Sequence, residues 1–326
     1  MGMRITALTV FLAGLLGVAW VFGQDPPILH VDVSLVTLDV EVTDSAGRPV
    51  NSLKKEDFEI YENGTLQDIR SFDSVETPYN IILLFDCSTS TEPAWPFLVQ
   101  AMSRFAQTLR DQDRMAVAQF GGKFKLLRKP LSRAEAPIDV AEQPRDSVCA
   151  GTDFYGAVDR ALDELKLVKG RKGAVILTDG EHDSIPQRKG TEFLLNRGRY
   201  VDAVDDKDFQ KTLRSVAGRG EALYFVAVNT DLNPTEFNPE EIYNRQQLRS
   251  RMELLASASG GRVAYPKQPD EVVTLYEQLA HDLGTSYSLG YAPANMAKDG
   301  TFRKIEVRLR DRTLRVRQSR DGYRAQ

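Results

Sequence analysis

The pattern of hydrophobic and polar residues divides the chain into three parts. In the first and last parts apolar and polar residues alternate with a period of two, most clearly in VDVSLVTLDVEVTD, which is typical of half-buried β-strands. An Asn63-Gly64 pair between two such runs predicts a hairpin. The predicted terminal strands are 31–44, 58–61, 65–72, 287–291, 303–311 and 313–320.

The central part has a different pattern, in which continuous apolar runs alternate with helical periodicity. NIILLFD (80–86) and GAVILTD (173–179) are typical of strands buried on both faces of a sheet. The other predicted strands are 115–120, 123–127, 222–228 and 262–266, and the predicted helices are 92–110, 154–168, 206–217, 241–258 and 270–283. This alternation predicts an α/β fold with a doubly wound, mostly parallel sheet and helices on both faces.

The domain organisation follows from the size of the two terminal parts. Three or four strands of about 50 residues are marginally stable alone. We therefore predict one β-sandwich made from residues 28–76 and 286–324, with an α/β domain of residues 79–284 inserted between them.

The first 23 residues have the composition of an export signal. A single Arg4 precedes an uncharged run from Ile5 to Gly23, and Gln24-Asp25-Pro26-Pro27 follows it. We predict cleavage after Gly23 and a periplasmic or secreted protein. The alternative is an uncleaved anchor, because the run of 19 uncharged residues is just long enough to span a bilayer. Membrane contact is expected only in that case.

Charge and composition exclude several classes of function. The chain has 326 residues with 42 Lys and Arg against 46 Asp and Glu, so its net charge is −4. A protein that binds the phosphate backbone of nucleic acid is expected to be basic, so we predict no nucleic-acid partner. Two cysteines and three histidines are too few for a Cys-rich or His-rich metal site.

The candidate chemistry lies where buried strands end. Asp86, Ser88 and Ser90 form a D-x-S-x-S sequence after NIILLF, and Asp179 follows GAVILT. Thr152 stands at the start of the helix that begins near residue 154. The carboxyl ends of parallel strands meet at one edge of a sheet, so these oxygen-bearing side chains are expected to converge there. Carboxylates and hydroxyls suit Mg²⁺, Ca²⁺ or Mn²⁺.

This set of residues resembles the von Willebrand factor type A domain and its metal-ion-dependent adhesion site, over roughly residues 80–283. The resemblance implies a sheet of order 3-2-1-4-5-6, and Mg²⁺ (or Ca²⁺ or Mn²⁺) bound by Asp86, Ser88, Ser90, Thr152 and Asp179. It also implies that a partner protein's Asp or Glu completes the metal shell. The flanking sequences are similar to an exported acidobacterial group of von Willebrand A-related proteins. We therefore expect an adhesion or scaffold module without enzymatic activity.

Each candidate residue also has an alternative interpretation. Asp86 and Asp179 could serve a phosphatase-like, metal-dependent hydrolase, although such enzymes need a second acid where this chain has Ser88. The aspartates and hydroxyl residues could also simply cap helices.

The neighbouring residues leave further alternatives open. If both loops frame the metal, Cys87 and Cys149 can form a disulfide, and two separate buried thiols are the alternative. Glu181, His182 and Asp183 border the predicted site as a candidate rim for ligand specificity, or as ordinary polar loop residues.

Overall fold

A computed structural model of the chain describes residues 35–132, 147–166, 168–186, 200–217 and 219–325. The predicted export signal or anchor (1–23) and the first residues of the predicted sandwich (28–34) lie outside these described residues. Within the described ranges, no helix has the length and apolar character needed to cross a membrane.

The described residues form fourteen strands and five α-helices in a mixed α/β arrangement. The strands are β1 (Val36–Thr43), β2 (Phe58–Glu62), β3 (Thr65–Gln67), β4 (Ile69–Asp73), β5 (Tyr79–Asp86), β6 (Arg114–Phe120), β7 (Phe124–Ser132), β8 (Arg171–Thr178), β9 (Ala222–Ala227), β10 (Arg262–Ala264), β11 (Ser286–Tyr291), β12 (Phe302–Leu309), β13 (Arg315–Gln318) and β14 (Gly322–Arg324). The helices are α1 (Trp95–Thr108), α2 (Phe154–Leu165), α3 (Lys207–Ala217), α4 (Pro239–Ser259) and α5 (Glu271–Thr285).

The central sheet has six strands in the order β10-β9-β8-β5-β6-β7. Its strand pairs are parallel except for β6 and β7, which run antiparallel. Gly121, Gly122 and Lys123 separate β6 from β7, and so short a link can only make a hairpin, because a parallel connection needs a dozen or more residues. The sheet is therefore mixed at this edge.

Burial on both faces explains why β5 is a continuous apolar run. Ile81, Leu83 and Phe85 point into a core that α1 and α5 cover. Ile82 and Leu84 point the opposite way, into a core covered by α2, α3 and α4. Successive side chains of a strand alternate between faces, so a strand with helices on both faces needs apolar residues at every position.

The strands near both chain ends form two further four-stranded sheets, of order β13-β1-β11-β4 and β14-β12-β2-β3. β1 lies between two late strands, because Val40 pairs with both Tyr287 and Gln318. Apolar side chains of both sheets, including Val40, Ile60 and Val307, share one hydrophobic core. Neither terminal part could bury this core alone.

Two details of the terminal strands differ from the sequence prediction. The predicted single strand 65–72 is divided at Asp68, because Gln67 pairs with Ile60 in one sheet and Ile69 pairs with Tyr291 in the other. The chain thus passes from one sheet to the other within a run whose residue pattern is that of one strand. The short strand β14 was not predicted, because three residues carry too little periodicity to be recognised.

Candidate functional site

Asp86 and Asp179 lie at the same edge of the central sheet. Asp86 is the last residue of β5, and Asp179 directly follows Thr178, the last residue of β8. β5 and β8 are parallel neighbours whose register pairs Phe85 with Leu177. The two carboxyl-terminal ends therefore stand side by side, and both aspartates are almost completely buried.

The Asp86 carboxylate is held by donors from two elements. Its Oδ1 accepts a 2.9 Å hydrogen bond from the Ser88 backbone N–H, and its Oδ2 accepts a 2.8 Å hydrogen bond from the Thr178 hydroxyl. The Thr91 hydroxyl donates to the Asp86 backbone carbonyl at 2.8 Å. Sequence reasoning did not select Thr178 or Thr91, although Thr178 directly precedes Asp179.

Two serines connect Asp86 to Asp179. The hydroxyl oxygens of Ser88 and Ser90 lie 3.1 Å apart, and the Ser90 side chain hydrogen-bonds the Asp179 carboxylate. The Glu181 backbone N–H donates to Oδ1 of Asp179 at 3.0 Å. Four of the five predicted ligand residues therefore belong to one hydrogen-bonded group.

Burial of these carboxylates changes their acidity. Desolvation, reinforced by the charge of Asp179, raises the pKa of Asp86 to about 7. Burial also raises the pKa of Asp179, against the opposing effects of the Ser90 and Glu181 hydrogen bonds and the charge of Arg245. Two buried acids whose pKa values are raised form a site that a cation would stabilise in its charged form.

Thr152 is tied to this group through the loop after Asp179. Its backbone N–H donates to Oδ2 of Asp183 at 2.9 Å, and its carbonyl accepts a 2.9 Å hydrogen bond from the Asp183 backbone. Nδ1 of His182 lies 3.1 Å from the same carbonyl, while the His182 ring packs 4.1 Å from the ring of Tyr155. The loop 179–183 therefore positions the segment that carries Thr152.

A disulfide joins the D-x-S-x-S loop to the segment that carries Thr152. Cys87 and Cys149, 62 residues apart in sequence, are bridged with their Cα atoms 5.0 Å apart. Cys87 stands between Asp86 and Ser88, and Cys149 precedes Thr152 by three residues. Of the alternatives that the sequence left open, the structure contains the bridge, which ties the D-x-S-x-S loop to the Thr152 segment.

The three candidate rim residues have different surroundings. The side chains of His182 and Asp183 contact the Thr152 backbone and so connect the loop after Asp179 to the segment that carries Thr152. The Glu181 side chain is exposed beside Asp179. A rim for ligand specificity formed by Glu181, His182 and Asp183 stays a prediction.

Two further residues, which sequence reasoning missed, lie on the side of the site next to β9. Asn229, just after β9, donates from its side-chain amide to the Ser90 carbonyl, and the Arg245 guanidinium donates to the Asn229 carbonyl. Arg245 also stacks on the Phe237 ring, 3.9 Å from its centroid. Asn229 follows the end of β9, the strand next to β8, so the sheet-edge argument that selected Asp179 could also have found it.

The donor set fits a hard divalent cation better than a soft one. Carboxylate and hydroxyl oxygens are what Mg²⁺, Ca²⁺ and Mn²⁺ prefer. Among the described residues, no cluster of three or more His, Cys, Asp and Glu side chains has the arrangement of a metal site. Cation binding here would depend on two buried acids and neutral hydroxyls.

Comparisons with known proteins find similarity in structure only. No protein-family model matches the sequence, and no curated protein matches it. The chain is similar to a von Willebrand factor type A protein from Catenulispora acidiphila (14% identity, TM-score 0.43, covering 88% of this chain and 73% of that one). It is also similar to the ArnB paralog VWA2 from Sulfolobus acidocaldarius (11% identity, TM-score 0.42, covering 90% and 76%). A third similar structure is the pilus adhesin SpaC from Lactobacillus rhamnosus GG in its open conformation (10% identity, TM-score 0.49, covering 86% and 49%).

Proposed function

We propose that this chain is an exported protein-binding module whose affinity for its partner depends on a divalent cation. Asp86, Ser88, Ser90, Thr152 and Asp179 would hold Mg²⁺, Ca²⁺ or Mn²⁺, and an Asp or Glu of the partner would complete the shell. The observation that carries the proposal is the pair of buried carboxylates at one sheet edge, linked by Ser88 and Ser90.

The ligand set of the site favours an acidic partner group, because a carboxylate binds a hard cation more strongly than a neutral hydroxyl does. Two ionised aspartates only neutralise a divalent cation, and the remaining candidate ligands are neutral hydroxyls. In a buried site of low dielectric, a further carboxylate is attracted more strongly than it would be in water. The cation would supply this electrophilic contact, while the residues around it hold the two aspartates in place.

The architecture that we propose for this role is a von Willebrand A-type sheet of order 3-2-1-4-5-6 inserted in a β-sandwich built by both chain ends. The bridge between Cys87 and Cys149 supports an exported location, because disulfides persist outside the reducing cytoplasm. We propose a binding role and no catalysis. His182, the nearest candidate for a general base, is engaged with the Thr152 carbonyl and the Tyr155 ring.

Calorimetric titration tests the metal part of the proposal. Purified protein freed of metal is titrated with Mg²⁺, Ca²⁺ and Mn²⁺, and we expect saturable binding of at least one ion with one site per chain. Asp86→Asn and Asp179→Asn should abolish it. Asp231→Asn is the matched control, because this exposed aspartate lies in the loop after β9 and should leave binding unchanged. Equal binding by all four proteins would contradict the proposal.

The partner part needs a separate measurement. The wild-type protein immobilised on beads is exposed to native envelope extract with Mg²⁺ or with chelator, beside the Asp179→Asn and Asp231→Asn variants. We expect a partner retained by the wild type and by Asp231→Asn only when Mg²⁺ is present. A partner retained equally with chelator would show that recognition does not require the cation.

A further inference from the structure

A groove of about 250 Å³ lies between the ends of two helices and a terminal sheet. Its walls come from the second halves of α3 and α4 and from β12 and β14. Both helices lead back to the start of a parallel strand, so their C-terminal ends lie at the sheet edge opposite Asp86 and Asp179. The groove is therefore remote from the candidate metal site.

The floor of the groove is apolar. Aliphatic and aromatic side chains from both helices and from the terminal strands line it, among them Leu213, Ala217, Leu254, Ala258, Phe302 and Tyr323. Phe302 is 55% exposed, one of few large apolar side chains so open to solvent among the described residues. An aromatic side chain held open beside a concave apolar surface is typical of protein docking sites.

The remaining lining residues are all basic. Arg214, Lys298, Arg320 and Arg324 surround the apolar floor, and no acidic side chain contributes to the lining. Arg214 and Lys298 are exposed, and within the described part of the chain neither takes part in an ion pair. A net charge of −4 for the whole chain makes this local concentration of positive charge distinctive.

Arg320 shows that the positive charge also extends into the groove. The Arg320 side chain is buried, and its two terminal nitrogens donate to the carbonyls of Ser257 and Thr37. Its Nε has no hydrogen-bond partner among the described residues. Burial lowers the pKa of Arg320 to about 10, so the guanidinium is desolvated but still charged at neutral pH. A buried donor of this kind is stabilised by an acceptor that enters the groove.

We propose that this groove binds an acidic peptide segment of a partner protein, with one bulky apolar side chain of the segment on the floor and its carboxylates on the basic rim. Apolar burial would provide the affinity, and the rim would select against basic segments. Since the groove and the candidate metal site lie at opposite sheet edges, the chain could hold two partners at once. Peptide binding in the groove does not require the cation site. It extends the proposed function from a module with one partner to a scaffold that bridges two partners.

Fluorescence anisotropy with synthetic peptides tests the groove directly. The probe is a labelled, end-blocked peptide EEFLEE, and the comparison probes are KKFLKK and EESSEE. All titrations contain chelator, so that the outcome is independent of the metal site. We expect saturable binding of EEFLEE alone, weakened by added salt because part of the attraction is between charges.

Variants of the rim complete the test. Arg214→Glu combined with Lys298→Glu should weaken EEFLEE binding at least about tenfold, because two attractive charges become repulsive. Both side chains are exposed, so circular dichroism is expected to show an unchanged fold. Arg104→Glu, on the exposed face of α1, is the matched control and should bind as the wild type does.

Three results would overturn the inference. The first is equal binding of EEFLEE and KKFLKK, and the second is equal binding of EEFLEE by wild type and the double variant. The third is that the wild type does not bind EEFLEE but dimerises with increasing concentration in sedimentation, and that the double variant stays monomeric. That result would assign the groove to a second copy of this chain.

Discussion

The hydroxyl of Thr178 donates a 2.8 Å hydrogen bond to Oδ2 of Asp86 and so joins the ends of two neighbouring parallel strands. The same hydroxyl oxygen accepts a 3.0 Å hydrogen bond from the Gly180 backbone N–H. Thr178 thus fixes the orientation of one buried carboxylate and the start of the loop that carries the other. It positions both aspartates without belonging to the proposed ligand set.

Thr178→Val should weaken cation binding while the fold is kept. The substitution keeps the shape of the side chain and removes the hydroxyl that orients Asp86. Hydrogen-bond partners of metal ligands typically contribute about 10–100-fold to affinity. Calorimetric titration with Mg²⁺ measures the effect. Thr108→Val, which removes a hydroxyl bonded only to a carbonyl within α1, is the control. A Thr178→Val protein with wild-type affinity would show that this bond plays no part in binding.

The stability of the metal-free protein should fall as the pH rises from about 4 to about 7. The pKa of Asp86 is raised to about 7 in the folded state, against about 4 when unfolded. Between these values the folded state binds more protons than the unfolded state, so the free energy of unfolding decreases with increasing pH. Urea denaturation across this range measures the slope.

Asp86→Asn is the comparison for this pH dependence. Burial also raises the pKa of Asp73, Asp179 and Glu221, so the variant retains a slope from these groups and loses the share of Asp86. Saturating Mg²⁺ should stabilise the wild type most at the upper end of the range, because there the cation no longer competes with protons. Identical slopes for wild type and Asp86→Asn would contradict the predicted acidity of Asp86.

Replacing Cys87 and Cys149 together by serine should reduce both stability and cation affinity. The bridge spans 62 residues in sequence, and a loop of this length corresponds to about 4 kcal/mol in the chain-entropy account. Cation affinity should fall because the bridge holds the D-x-S-x-S loop against the Thr152 segment. Thermal unfolding and titration of the oxidised wild type, the reduced wild type and the double variant measure the two effects separately. If the double variant still folds and binds Mg²⁺ with wild-type affinity, the bridge has a structural role only.

Substitutions in the buried ion pair that contacts Tyr155 should be among those that destabilise the fold most. Arg251 and Asp206 are almost fully buried, with Nη2 and Oδ2 3.3 Å apart, and the Tyr155 hydroxyl donates to the same Oδ2 at 2.9 Å. Arg251→Leu should cost about 3–5 kcal/mol of unfolding free energy, because the Asp206 charge stays buried without its partner. Arg251→Leu combined with Asp206→Asn should recover part of that loss. Urea denaturation of the variants measures both, and a cost below that of the exposed control Arg104→Leu would contradict the prediction.

Much of the α/β part could be predicted from the sequence, because its strands are buried on both faces. The predicted strand 80–86 corresponds to Tyr79–Asp86, and the predicted strand 173–179 to Arg171–Thr178. Continuous apolar runs of this length have few other interpretations. The division at Asp68 depends instead on which distant strand each residue pairs with, and periodicity contains no such information.

The candidate site likewise combines residues that could be located from the local sequence with contacts that only the folded chain creates. The sequence located Asp86, Ser88, Ser90 and Asp179, which the structure joins by hydrogen bonds, because each follows a recognisable buried strand. Their role as metal ligands stays a prediction. Contributions that arise only from packing, such as the hydrogen bond from the Arg245 guanidinium to the Asn229 carbonyl, have no local signature in the sequence.

The position of β1 between β11 and β13 has a consequence for the order of folding. Val40 can meet its two partners, Tyr287 and Gln318, only after the long intervening segment has been made. Contacts so distant in sequence form slowly, because a long loop must close before any of them is gained. Until then β1 remains an unpaired strand that other chains can capture. Assembly of this sheet is therefore the step at which chaperone protection would benefit the nascent protein most.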